Sequence, residues 1–185
     1  MVNRNRIALL VATGAAAAAL GFAGAPAALA DGPDTPRTTV VEIEALEWPE
    51  FREGESAWQI ASAQYLLKAY GHYDGEATGD FDGATADAVR AYQEAKDLPD
   101  SGALDAETWN DLRNDFGEVG PGATGDRVRA VQHALVHGYG YDLDVDGNYG
   151  SGTAAAVTEF QTVQEIDADG YTGPITFRAL ITGGV

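Results

Sequence analysis

Apolar positions along this chain fall into helical stripes, and each stripe occurs twice. Ile60, Ala63, Gln64 and Leu67 sit at i, i+3, i+4 and i+7, as do Val128, Val131, Gln132 and Leu135. A second stripe joins Thr85, Ala88, Val89 and Tyr92, and its counterpart joins Thr153, Ala156, Val157 and Phe160. A short third helix is predicted after Gly102, capped by Asp105 with Trp109 and Leu112 facing in. After Gly170 its counterpart has Pro174 in the first turn and Phe177 and Leu180 inward. Every pair is 68 positions apart, and the register runs without a gap from Trp48/Phe116 to Leu112/Leu180. The chain is therefore one small unit written twice. The expected fold is all-α, with a three-helix bundle over 48–115 and another over 116–185.

The stripes are not purely apolar. Gln64 and Gln132 lie within them, and a buried amide needs partners, so each is expected to pin the loop that follows through its carbonyls and amides. Those loops hold Gly79-Asp80-Phe81 and Gly147-Asn148-Tyr149, turn signals followed by an aromatic that can fold back onto the core. Each copy opens on an aromatic, Trp48 or Phe116, expected to pack on its own bundle. Only Arg113, Asn114 and Asp115 separate Leu112 from Phe116, so the two copies are expected at a restricted mutual angle. Ahead of them, 31–47 reads as a flexible leader or short arm. Asp31–Pro36 has nothing to bury, and in Thr38–Leu46 the alternation of Val41, Ile43 and Ala45 with Glu42 and Glu44 suits a weak short strand or an extended arm.

Residues 1–30 read as a cleaved signal peptide: Arg4 and Arg6, the apolar run Ile7–Leu20, then Ala28-Leu29-Ala30 as the cleavage site. Removing them takes away two arginines and no acid, which moves the formal charge from −18 to −20. Such a field repels nucleic acid and anionic lipid and favours solubility. There is no cysteine, hence no disulfide, no thiol catalysis and no lipoprotein attachment.

Several constellations of chemical groups fall short. Asp142, Asp144, Asp146 and Gly147 begin like a calcium loop, but Thr153 stands where the bidentate acid belongs. His133 and His137 are one helical turn apart, yet Ala134 replaces the glutamate of a zinc-protease motif, so two surface imidazoles are expected. Gly150-Ser151-Gly152 lacks nucleophile-elbow spacing. The two bundles occupy nearly the whole mature chain, leaving no domain to hold a cleft with paired carboxylates. No enzyme, metal or cofactor is expected.

The second copy, with Asp146-Gly147-Asn148-Tyr149-Gly150, Thr153, Ala156-Val157, Phe160-Gln161 and Gly173-Pro174, resembles the peptidoglycan-binding domain appended to bacterial wall hydrolases. The first copy departs from the pattern at Thr78, Asp82 and Asp105-Ala106. The resemblance implies a three-helix bundle that binds wall polymer non-covalently, in a secreted or wall-associated bacterial protein, with the second copy carrying most of the affinity. The ligand residues expected are Tyr141, Asp146, Gly147, Asn148, Tyr149, Gly150 and Thr153, with Asp80 and Phe81 in the first copy. Glycine amides would approach the ligand closely and tyrosines would offer a flat surface to a sugar or alkyl stem. The same residues admit a purely architectural role, with Tyr149 in the core and Thr153 as a helix cap. The partner expected is peptidoglycan, through its glycan or its stem peptide. The alternative is a module that targets or inhibits a secreted wall hydrolase, to which the acidic surface would steer a basic partner.

Overall fold

The computed structural model describes residues 31–184, and the expected signal peptide lies outside them. The described residues form seven α-helices and no strand beyond isolated bridges. The first copy holds α2 (Trp58–Ala69), α3 (Gly83–Ala95) and α4 (Ala106–Phe116). The second holds α5 (Asp126–His133), which continues into a π-helical turn over Ala134–Gly138, then α6 (Ser151–Val163) and α7 (Pro174–Thr182). The repeat is kept in fine detail. The bridges Phe51↔Leu104 and Ser56↔Asp80 recur as Val119↔Thr172 and Thr124↔Asn148. Trp48 stacks on Trp109 at 5.7 Å between ring centroids, and Phe116 stacks on Phe177 at 4.7 Å. Each opening aromatic thus seals its own bundle. No linker separates the copies, because α4 runs on through Phe116.

The copies share one core and meet through equivalent helices, with α2 packed on α5. Small residues stand where the two backbones meet: Ser62 on α2 and Ala130 on α5, both buried. Across this seam Ser62 Oγ donates to the Ala130 carbonyl at 3.4 Å, and the Tyr65 and His133 rings lie 5.8 Å apart. Residues 62 and 130 are counterparts in the repeat, as are 65 and 133, so each position meets its own copy. That is the signature of a twofold arrangement inside a single chain.

The stretch expected as a short strand or an extended arm on the first copy is instead a helix packed on the second. Residues Arg37–Ala45 form α1, which buries Thr39 and Ile43 against α7. Arg178, itself buried, donates to the carbonyls of Ile43, Glu44 and Leu46 and so satisfies the C-terminus of α1; its guanidinium also covers Trp48 at 4.4 Å. At the leader's start the fully buried Asp31 accepts from the amides of Ile175 (2.6 Å) and Thr176 (2.8 Å). Repeat register explains this contact. In the first copy Asp105 caps α4 by accepting from Thr108 N at 2.9 Å, but its counterpart is Gly173, which has no side chain to do so. Asp31 supplies the missing carboxylate from the far end of the chain. Burial pushes the Asp31 carboxyl above its ordinary range, against the lowering pull of the two amides.

Candidate functional site

The polar residues of the repeated pattern are engaged first in holding turns. Gln132 Oε1 accepts from Gly147 N at 2.8 Å, while its Nε2 reaches Asp146 Oδ1 (2.9 Å), the Asn148 carbonyl (3.1 Å) and Thr153 Oγ1 (3.1 Å). Gln64 clamps Gly79, Asp80 and Thr85 in the same way. A second clamp follows in each copy. Gln93 holds Gly102, Ala103 and Thr108, and Gln161 holds Gly170, Tyr171 and Thr176. Four buried glutamines therefore play one part, of which the apolar stripes had pointed to two. Gly147 and Gly79 take φ of +78° and +81°, a conformation that favours glycine, which explains the residue type at the clamp.

The expected ligand residues divide sharply by exposure. Tyr149 is buried and its hydroxyl donates to the Gly170 carbonyl at 2.9 Å. Phe81 is likewise buried, so neither aromatic presents a face to a sugar; both wedge their turn into the core, which corrects the ligand role expected of them. Thr153 is buried at the start of α6 and bonded to Gln132, and Gly147 is covered by the Arg129 guanidinium. The accessible rim consists of Asp146, Asn148 and Gly150 in the second copy and Asp80 in the first. The Asp146 carboxyl is held down to about 2, chiefly by the Asn148 amide and then by Gln132 and the Asn148 side chain. It is therefore charged at any ordinary pH. Asp80 accepts from Ser56 Oγ at 2.6 Å.

Tyr141 alone among the expected aromatics stays accessible. It lines an open hollow of about 440 Å³ with Asp142, Glu159 and Val163, the last of these 66% exposed. None of the other eight expected residues lines that hollow.

Two further hollows escaped the sequence. One, of about 360 Å³, lies at the seam, where Ser56, Trp58 and Asp80 face His133 and His137. The two imidazoles are 4.2 Å apart, and His133 is half-buried rather than fully at the surface, because α5 is the seam helix. Its Nδ1 is buried with no hydrogen-bond partner among the described residues. Burial, then His137, pulls its pKa down to about 4. Among the described residues no three metal-ligating side chains come together. The other hollow, of about 460 Å³, belongs to the first copy and is lined by Arg52, Arg90 and Gly102 among others. Its signal was legible as a departure between copies, Arg52/Gly120 and Arg90/Thr158, which apolar periodicity passes over.

Comparison with known proteins bears on both copies. The sequence pattern of the peptidoglycan binding domain family matches residues 58–112 and again 124–180. Over 85 residues the chain is 40% identical to a zinc D-Ala-D-Ala carboxypeptidase of Streptomyces albus G, covering 44% of this chain and 31% of that protein. Over 58 residues it is 43% identical to an uncharacterized protein encoded in the bpoA1 3' region of Kitasatospora aureofaciens, covering 31% of this chain and 49% of that one. The chain thus spans less than half the length of these relatives. The crystal structure of the SleB N-terminal domain aligns with 31% identity and a TM-score of 0.36, over 38% of this chain and 97% of that domain.

Proposed function

Because the chain belongs to the peptidoglycan binding domain family in both of its halves, we propose that it is a secreted, non-catalytic protein that binds bacterial wall peptidoglycan. The observation that carries this reading is the doubled family match, 58–112 and 124–180, over two bundles whose glutamine clamps are complete. Clamped turns present a rigid outer rim, so binding would order little of the protein. Two such surfaces on one rigid body raise retention on a polymer that repeats the same epitope, through effective concentration. The relative from Streptomyces albus G is named for acting on D-Ala-D-Ala, which is consistent with wall polymer as the common target. No helix among the described residues is long and apolar enough to cross a membrane. A docking role on a secreted wall hydrolase is the second reading, favoured by the formal charge of −18.

Purified sacculi test the proposal directly. The full mature chain should co-sediment with sacculi at moderate salt and leave their turbidity unchanged. Loss of turbidity would overturn the non-catalytic part. Absence from the pellet, with capture by a basic wall hydrolase instead, would replace the first reading with the second.

A further inference from the structure

We infer that the first copy carries a binding groove for a zwitterionic stem peptide, centred on Arg90, and that the second copy has closed its own version of it. The inference rests on the wall-binding reading above and names the part of the polymer that is bound.

Cations are scarce on this protein, and their placement is informative. Nine lysines and arginines follow residue 30. Lys68 donates to the Gly75 carbonyl, Lys96 pairs with Asp111 and Asp115, and Arg113 pairs with Glu44. Arg127 donates to the Phe116 carbonyl, Arg129 holds Asp126 and the Asp146 turn, and Arg178 holds α1. Arg37 stands exposed at the start of α1. The remaining two, Arg52 and Arg90, line one hollow with Glu50, Glu53 and Asp105. Their ionic partners are all strongly exposed: Glu50 for Arg52 at 3.4 Å, Asp87 and Asp100 for Arg90 at 3.1 and 3.8 Å. Exposed pairs of this kind contribute little and exchange readily for a ligand.

Arg90 also lies flat over Gly102, where an added Cβ would come within 2.7 Å of the guanidinium carbon. Beyond it a second hollow of about 710 Å³ continues past Asp87, Glu94 and Asp100. The guanidinium therefore stands at the divide of a longer trough, suited to an extended ligand. Cationic groups beside acids select a ligand that carries both signs. A stem peptide has a free carboxylate for the arginines and a diamino-acid ammonium for Glu50, Glu53 or Asp105. A polyanion would meet the acidic surface of the whole protein.

Repeat register supplies the contrast. In the second copy the two arginines are Gly120 and Thr158, and Ala103 becomes Tyr171. The Tyr171 ring lies over Gly120, where any Cβ would collide with it. One copy presents an open, charged hollow, and in the other the half-exposed Tyr171 ring occupies the place over Gly120. On this inference the first copy, rather than the second, holds most of the affinity.

The test is a titration of the ¹⁵N-labelled full mature chain with the tetrapeptide L-Ala-γ-D-Glu-L-Lys-D-Ala, run beside sacculus retention. Amide shifts should localise to Arg52, Arg90 and Ser101–Asp105. Arg90→Gln should weaken the peptide about tenfold, the scale of one charge-assisted contact. Arg52→Gln, at a side chain too exposed to affect folding, should weaken it severalfold, whereas Thr158→Ala should not. With both free carboxylates amidated, at the γ-linked D-Glu and at the terminal D-Ala, the peptide should bind wild type as weakly as the free acid binds Arg90→Gln. Retention on sacculi with no peptide shifts in the groove, or with shifts at Tyr141 and Val163 instead, would overturn the inference and leave the wall-binding reading standing. No retention on sacculi would overturn both.

Discussion

The seam between the copies should weaken in acid through one residue, His133. Its ring lies against Tyr65 at 5.8 Å and His137 at 4.2 Å, and its Nδ1 finds no partner among the described residues. The folded protein holds its pKa near 4, against about 6.5 in an unfolded chain. Between those values the unfolded state binds more protons than the native state, so stability falls as pH drops from about 6.5 toward 4 and levels off below. Taken whole, that shift would correspond to about 3 kcal/mol across the interval. His133 is only partly shielded, and solvent reduces the cost to roughly 1–2 kcal/mol. His133→Phe keeps a ring of similar shape, removes the titration, and removes an unsatisfied buried nitrogen. It should therefore raise stability at pH 7 by about 1 kcal/mol. Urea unfolding of both proteins at pH 7.0 and 4.5 gives the double difference, in which the titration of the carboxylates common to both cancels. Wild type should lose roughly 1–2 kcal/mol more than His133→Phe over the interval. Parallel losses would refute the argument, because they would mean that the imidazole is as well solvated in the folded chain as in the unfolded one.

Three further outcomes follow from the clamps, the cap and the buried aromatics. Gln132→Ala strands the Gly147 amide, and with it the Thr153 hydroxyl, so chemical denaturation should show a loss of roughly 2–4 kcal/mol, several times that of an average surface substitution. Asp31→Ala leaves the first amides of α7 without an acceptor; it should cost about 1–2 kcal/mol and speed hydrogen exchange at Ile175 and Thr176. Tyr149→Phe should cost about 1 kcal/mol by urea melt while sacculus retention stays at the wild-type level, because it removes only a buried hydroxyl.

Helices α2 to α7 were legible because their inward positions repeat at the spacing of a helical face, and because doubling at a fixed offset removes chance matches. The clamps at Gln64 and Gln132 were legible for a different reason: an amide within an apolar stripe must be bonded to something, and the nearest unsatisfied groups are those of the following turn. The leader misled because Val41, Ile43 and Ala45 alternate with acids. Its helicity comes from docking Thr39 and Ile43 on α7 and from Arg178 at its end, contacts more than 130 residues away that no local window contains. Tyr149 and Phe81 could be read either as platforms or as wedges, since an aromatic after a glycine turn has the same composition in both roles. Their burial decides between the two. The seam left a fainter trace, namely the small residues Ser62 and Ala130 at corresponding places in the two copies, both buried.

A surface that pairs with its own duplicate is saturated after a single pairing. In this chain both halves of that contact arrive covalently joined, so association is already complete at synthesis and independent of dilution. Duplication has in this way produced a closed pair whose outward faces can drift apart in chemistry, one toward a hollow lined by arginines and the other toward a tyrosine laid over the same place, without disturbing the contact that holds them together.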